Sequence, residues 1–254
     1  MPRPYNGRTV ESPFLQAEGL LRYIGLLLSG ICHQFAGHSL TVGGAQLPLC
    51  ARCTGTYLGA MLGLTNYWWR GHAKFSGLPP LRTLVVLAGF FVFWAIDGIN
   101  SYLNYVTGRV ILYAPSNLLR LAAGMVNGLS LSVLIYPLFN FTLWTKPHRQ
   151  PIIGGYGELA GILVQLFALG WLVQANVPAL LYPLATLNLV GVLVMLTLVN
   201  TMIVVLLLRR ENQAENWRQA LPMLSLGLLC SLAGVGGIAL VRHWIAPNLP
   251  APLS

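Results

Sequence analysis

Residues 180–210 read LLYPLATLNLVGVLVMLTLVNTMIVVLLLRR. No charged side chain interrupts the run from Leu180 to Leu208, and Arg209 and Arg210 close it. A helix needs roughly 20 mostly apolar residues to cross the hydrocarbon of a bilayer. This stretch therefore reads as a transmembrane segment, with Pro183 near its start. The rest of the chain has the same character. It is 56% hydrophobic and 8% charged over 254 residues, with a mean hydropathy of +0.66. A soluble domain carries about 25% charged residues, so this composition cannot cover a water-facing surface.

Working outward, six further apolar stretches are expected to span. They cover about Leu20–Phe35, Ala51–Trp69, Leu84–Leu103, Leu118–Leu143, Leu159–Val177 and Leu221–Val241. The fourth span of the chain, Leu118–Leu143, is long enough to tilt or kink near Pro137. The fold expected is an all-α, multi-pass transmembrane helical bundle of about seven spans. The first two stretches are short for a full crossing, and a re-entrant hairpin buried by protein is the alternative there. Residues 1–150 read as a membrane domain holding the polar groups. Residues 151–254 read as a three-helix scaffold of the same bundle.

The cations test this count. Arg3, Arg8, Arg22, Arg70, Lys74, Arg82, Lys146, Arg149, Arg209, Arg210 and Arg218 fall on one side of a seven-span arrangement. Arg52, Arg109, Arg120 and Arg242 fall near the other. Positive residues mark the cytoplasmic side, so the N-terminus is expected in the cytoplasm of a plasma-membrane protein. The net charge of +9 is scattered between apolar runs, which argues against a nucleic-acid partner. Pro2, Pro4, Asn6 and Glu11 precede any apolar stretch, so no cleavable signal peptide is expected.

The chemistry concentrates between Cys32 and Gly55, CHQFAGHSLTVGGAQLPLCARCTG. Cys32 and His33 close the first apolar stretch, and Cys50 and Cys53 open the second as C-x-x-C. Residues three apart share a helix face. Cys32, His33, Cys50 and Cys53 thus form a candidate tetrahedral zinc set of three thiolates and one imidazole. His38 is an alternative ligand or a neighbour of the ion. Redox thiols are the competing reading, because C-x-x-C lowers thiol pKa values. The topology puts the cluster at the extracytoplasmic face. Cys230 reads as a small apolar residue.

Two polar stripes fall at the same depth. Asp97, Asn100 and Asn104 follow helical spacing, as do Asn117, Arg120, Gly124, Asn127 and Gly128. An acid inside a span is by default a functional candidate with a partner, and Arg120 is the partner expected for Asp97. The pair reads either as a packing ion pair or as catalytic residues beside the metal. In the catalytic case Asp97 is the base and Arg120 holds an anionic head group. Gly55, Gly59 and Gly63 repeat as G-x-x-x-G, as do Gly124 and Gly128, a spacing that lets helices approach closely. This reads as packing within the monomer, with homo-oligomerisation through Gly55, Gly59 and Gly63 as the alternative. The expected partners are membrane lipids and a lipid-like substrate. No P-loop, G-x-G-x-x-G, H-E-x-x-H or G-x-S-x-G occurs.

C-H-Q at Cys32–Gln34, L-P-L-C-A-R-C-T-G at Leu47–Gly55, Asp97-Gly98 and S-N-L-L-R at Ser116–Arg120 resemble the prokaryotic membrane-protein family called domain of unknown function 2085. The resemblance covers about residues 25–130. It implies an integral membrane protein of uncharacterised activity. It also favours His33, inside the matching C-H-Q, over His38, which stands where that family usually has Arg. Three functions follow from these readings: a zinc site, structural or catalytic towards a lipid or lipid-linked substrate; a quinone-coupled thiol-disulfide oxidoreductase; or a non-catalytic transporter or interaction subunit.

Overall fold

The computed structural model describes residue 14 and residues 19–245. Among them are seven α-helices: α1 Gly19–Leu28, α2 Ala51–Trp69, α3 Leu81–Thr107, α4 Asn117–Leu143, α5 Tyr156–Gln174, α6 Leu181–Leu207 and α7 Trp217–Ile245. Four short strands accompany them: β1 Ser39–Val42, β2 Ala45–Cys50, β3 Phe75–Gly77 and β4 His148–Pro151. Five helical stretches are long and apolar enough to cross a membrane: α3, α4, α5, Pro178–Leu207 and α7. The molecule is thus a mostly helical membrane bundle.

Two expectations change. Neither of the first two expected spans is among those five: the described helix α1 has 10 residues, about 15 Å at 1.5 Å per residue, and α2, with 19, is not apolar enough. Beyond Leu28 the chain turns through Ser29 and Gly30. A Cβ at Gly30 would press on the backbone of α7 at Val235 and Ala239. The segment from Phe35 to Leu49 is not a plain connection either. It holds a single 3-10 turn at Ala36–His38 and the antiparallel hairpin β1–β2, so the chain is not purely helical. The hairpin reverses through Gly43 and Gly44, with φ of +59° and +82°. Two successive positive φ angles fit a tight two-residue hairpin turn, which favours glycine. A side chain at Gly43 would also meet Pro178, within 3 Å.

At the centre of the bundle α2 lies against α4. A Cβ at Gly55 or Gly59 would collide with the carbonyls of Leu121 and Met125, and one at Gly124 or Gly128 with those of Arg52 and Thr56. The backbones touch because both surfaces lack side chains there. That face of α2 is therefore filled within the chain at Gly55 and Gly59. One continuous apolar cluster runs from Leu40 and Leu47 through Leu121, Leu129 and Phe139 to Leu184, Val205 and Ala220. It takes in residues from both sides of position 150.

The loops gather at two ends. At one end β3 pairs with β4, Lys74 Nζ donates to Glu215 O at 2.8 Å, Thr145 N donates to Ala214 O at 2.9 Å, and Arg70 meets Glu158 at 3.1 Å. Arg82, Lys146, Arg149, Arg209, Arg210 and Arg218 belong to these loops and helix ends. At the other end Gly43 N donates to Asn176 Oδ1 at 2.9 Å, and Asn117 Nδ2 to Gly37 O and Ser39 O at 3.3 and 3.1 Å. Arg3 and Arg8, and with them the expected cytoplasmic N-terminus, lie outside the described residues. Arg22 is exposed on α1.

Candidate metal centre

The hairpin delivers β2 straight into α2, so Cys50 is both the last strand residue and the N-cap of the helix, with φ −63° and ψ 160°. Cys53 then falls in the first helical turn. Cys32 arrives from the turn after α1, and its Sγ accepts the Cys50 backbone N–H at 3.2 Å. The sulfurs of Cys32, Cys50 and Cys53 all lie within 4.8 Å of one another. A tetrahedral zinc with bonds of about 2.3 Å would place its sulfurs about 3.8 Å apart. Cys32 and Cys50 are buried in one apolar cluster with Leu28 and Leu49, both at 0% exposure. All four cysteines are free thiols, and Cys230 is exposed on α7, apart from this group.

The three thiols compete for one negative charge. Hydrogen bonds from the Cys50 and Cys53 side chains, with a lesser one from His33, hold the Cys32 thiol far below its ordinary range despite burial. Cys50, which gives its proton to that bond, is pushed up to about 11. Groups coupled this closely titrate as one unit. The N-terminal dipole of α2 also favours a thiolate at this place. An ion that takes three thiolates fits this donor set, since soft thiolate ligands suit zinc.

His33 is exposed at the edge of the cluster and is not one of the three converging ligands. Its Nε2 lies 3.2 Å from His38 Nδ1. His38 is half-buried, and burial followed by the nearby Arg120 charge lowers its pKa to about 4, so this imidazole is neutral at neutral pH.

The expected Asp97–Arg120 pair does not form. Asp97 is fully buried and is taken by Arg52, which lies between the two cysteines of C-A-R-C. Arg52 Nη2 donates to Asp97 Oδ2, Arg52 Nε to the same oxygen at 3.2 Å, and Nη2 also to Asp97 O and Ser101 Oγ at 3.1 Å each. Tyr113 OH donates to Asp97 Oδ1 at 3.1 Å. The reason is depth along the helices. Asp97 on α3 lies level with the first turn of α2, and Arg52 reaches it from there. Arg120 instead donates from Nη1 to Asn117 Oδ1 at 2.7 Å.

Three supporting residues were not singled out from the sequence. Arg52 stands inside the C-x-x-C, and its position between two ligands was the available signal. Gln34, at φ +57°, donates to Gly25 O at 2.7 Å and Pro48 O at 2.9 Å, tying α1 to β2. Arg242, far away in sequence, donates to the carbonyls of Ser29, Cys32 and His33 at 2.8, 2.6 and 3.0 Å. No local pattern connects residue 242 to residue 32.

This segment is also where known proteins match. The pattern of the predicted membrane protein family DUF2085 matches residues 32–134. An uncharacterized protein of Methanothermobacter thermautotrophicus is 30% identical over 104 residues, covering 41% of this chain and 83% of the relative. An uncharacterized protein of Methanocaldococcus jannaschii is 26% identical over 116 residues, covering 46% of this chain and 68% of the relative. No solved structure matches the chain. The match begins at Cys32 and takes in the three cysteines, Arg52, Asp97 and Arg120, and the chain belongs to the predicted membrane protein family DUF2085.

Proposed function

We propose that the protein is a membrane metalloprotein that binds a zinc-type ion through Cys32, Cys50 and Cys53, with His33 closing the shell from the mouth of the site. The observation that carries this reading is the convergence of three sulfurs from two separate segments within 4.8 Å. Such an ion joins the end of α1, β2 and the start of α2. It adds to the ties that Gln34 and Arg242 make to the same segments, so the primary role proposed is structural. Asp97 is a positioning residue in this reading. It anchors Arg52 and thereby the turn that presents Cys50 and Cys53. A catalytic role towards a lipid or lipid-linked substrate would require His33 to leave, opening a coordination position. The cations at the opposite end of the bundle support a location at the extracytoplasmic face of the plasma membrane.

Metal analysis of protein purified from membranes without chelators tests the reading. About one zinc per chain is expected. Cys32→Ser, Cys50→Ser and Cys53→Ser should each lose it, while Cys230→Ser should keep it. Metal-free protein in which Cys50 and Cys53 exchange between dithiol and disulfide would replace this reading with the redox one.

A further inference from the structure

Arg120 is only 6% exposed, and its Nε is buried with no hydrogen-bond partner. A buried guanidinium that makes no ion pair of its own is costly, more so in a membrane protein. Asp97 is the one carboxylate at this end among the described residues, and Arg52 holds it. The position adds to the cost. Arg120 lies in the first turn of α4, whose N-cap is Ser116, and a helix N-terminus already carries partial positive charge. Arg52 similarly lies in the first turn of α2. Two helix N-termini and two guanidiniums thus meet one acid.

The side chain is also held in place. Asn117 is anchored by its Nδ2 to Gly37 O and Ser39 O, and its Oδ1 then accepts from Arg120 Nη1. This leaves the Nε edge of the guanidinium fork unpaired. Gly37 and Ser39 flank His38 in the 3-10 turn and hairpin that follow Cys32.

We propose that Arg120, Asn117 and the N-terminal turn of α4 form an oxyanion site that takes a phosphate-type group beside the cysteine cluster. A guanidinium edge presents two parallel donors to two oxygens. Helix N-terminal N–H groups bind phosphate oxygens in the same way. A tetrahedral oxyanion has enough acceptors to use donors from both. The site rests on Arg120 and its surroundings, not on the metal.

The test uses the full chain, with zinc content measured in every sample. Inorganic phosphate and glycerol phosphate are titrated into detergent-solubilised protein, with chloride at matched ionic strength as control. A parallel set uses nanodiscs of phosphatidylcholine with or without phosphatidic acid. The expected result is a phosphate-dependent rise in Tm beyond that with chloride, lost in Arg120→Gln. Arg120→Lys, which keeps the charge but not the fork, should bind about tenfold more weakly, the equivalent of one charge-assisted hydrogen bond. A response to phosphatidic acid alone assigns the group to a lipid head group, and a response to inorganic phosphate assigns it to a soluble ligand. No response beyond chloride in either set overturns the proposal, as does an equal response in wild type and Arg120→Gln. If Arg120→Gln sheds zinc while wild type ignores phosphate, Arg120 is a counter-ion of the thiolates and the proposal falls. Phosphate binding in protein that holds no zinc would leave this site standing and remove the metal.

Discussion

The Arg52–Asp97 pair gives an asymmetric prediction. The Asp97 side chain is fully buried, whereas that of Arg52 is 21% exposed. Replacing Arg52 with Gln leaves a carboxylate with no access to water, and Tyr113 OH is then its remaining side-chain donor among the bonds described. Removing one partner of a buried pair costs about 3–5 kcal/mol, and full burial places Arg52→Gln at the upper part of that range. Asp97→Asn keeps the shape and an acceptor for Tyr113. It strands a guanidinium that can turn part of its surface to solvent and still reach Asp97 O and Ser101 Oγ. Its expected cost is about 2–3 kcal/mol, that of a lost charge-assisted hydrogen bond. The double variant leaves no stranded charge. It should cost less than the sum of the singles, with a coupling of about 2 kcal/mol. Reversible unfolding in mixed micelles, followed by tryptophan fluorescence, measures all three. Additive effects, or an Asp97→Asn loss equal to or larger than the Arg52→Gln loss, would refute the assignment of burial to the acid.

Further outcomes follow from the same geometry. Gly128→Ala should destabilise by about 3 kcal/mol or more, or abolish folding, because its Cβ would overlap the Thr56 carbonyl and neither backbone can yield. Gly89→Ala on α3, with nothing within 4 Å of the new methyl, should be stabilising by up to about 1 kcal/mol; thermal unfolding compares the two. Arg242→Ala should weaken zinc retention about tenfold to a hundredfold, as loss of an outer support does, measured by competition with a chromogenic chelator. Chelation of the wild type should raise hydrogen exchange across residues 29–55 and leave the α2–α4 contact protected, as read by mass spectrometry.

Much of the bundle was legible from local sequence. The long apolar runs at Leu118–Leu143 and Leu221–Val241 sit inside helices long enough to cross, and Leu180–Leu208 overruns its helix by one residue. Such runs are visible because the bilayer demands the same apolar character along one helix, whatever its neighbours. The glycine repeats likewise announced a close helix contact, and the structure supplies its partner. The first stretch, Leu20–Phe35, was expected to cross or to form a re-entrant hairpin, and its described helix is Gly19–Leu28. Its end is set by the crossing of α7 at Gly30 and by the hairpin folding back onto α1, both contacts remote in sequence.

The sequence by itself determined that this is a membrane protein, that three of its four cysteines fall in one short stretch, and that an acid lies within a span. These follow from composition and short-range spacing. Only the tertiary structure decided that Arg52 rather than Arg120 neutralises Asp97 and that Arg242 clamps the backbone at Cys32. It alone left Arg120 buried and outside any ion pair among the described residues. Which charges meet depends on the depth and rotation of helices far apart in the chain, and those are set by the backbone contact of α2 and α4 and by the packing of α7, not by any local pattern.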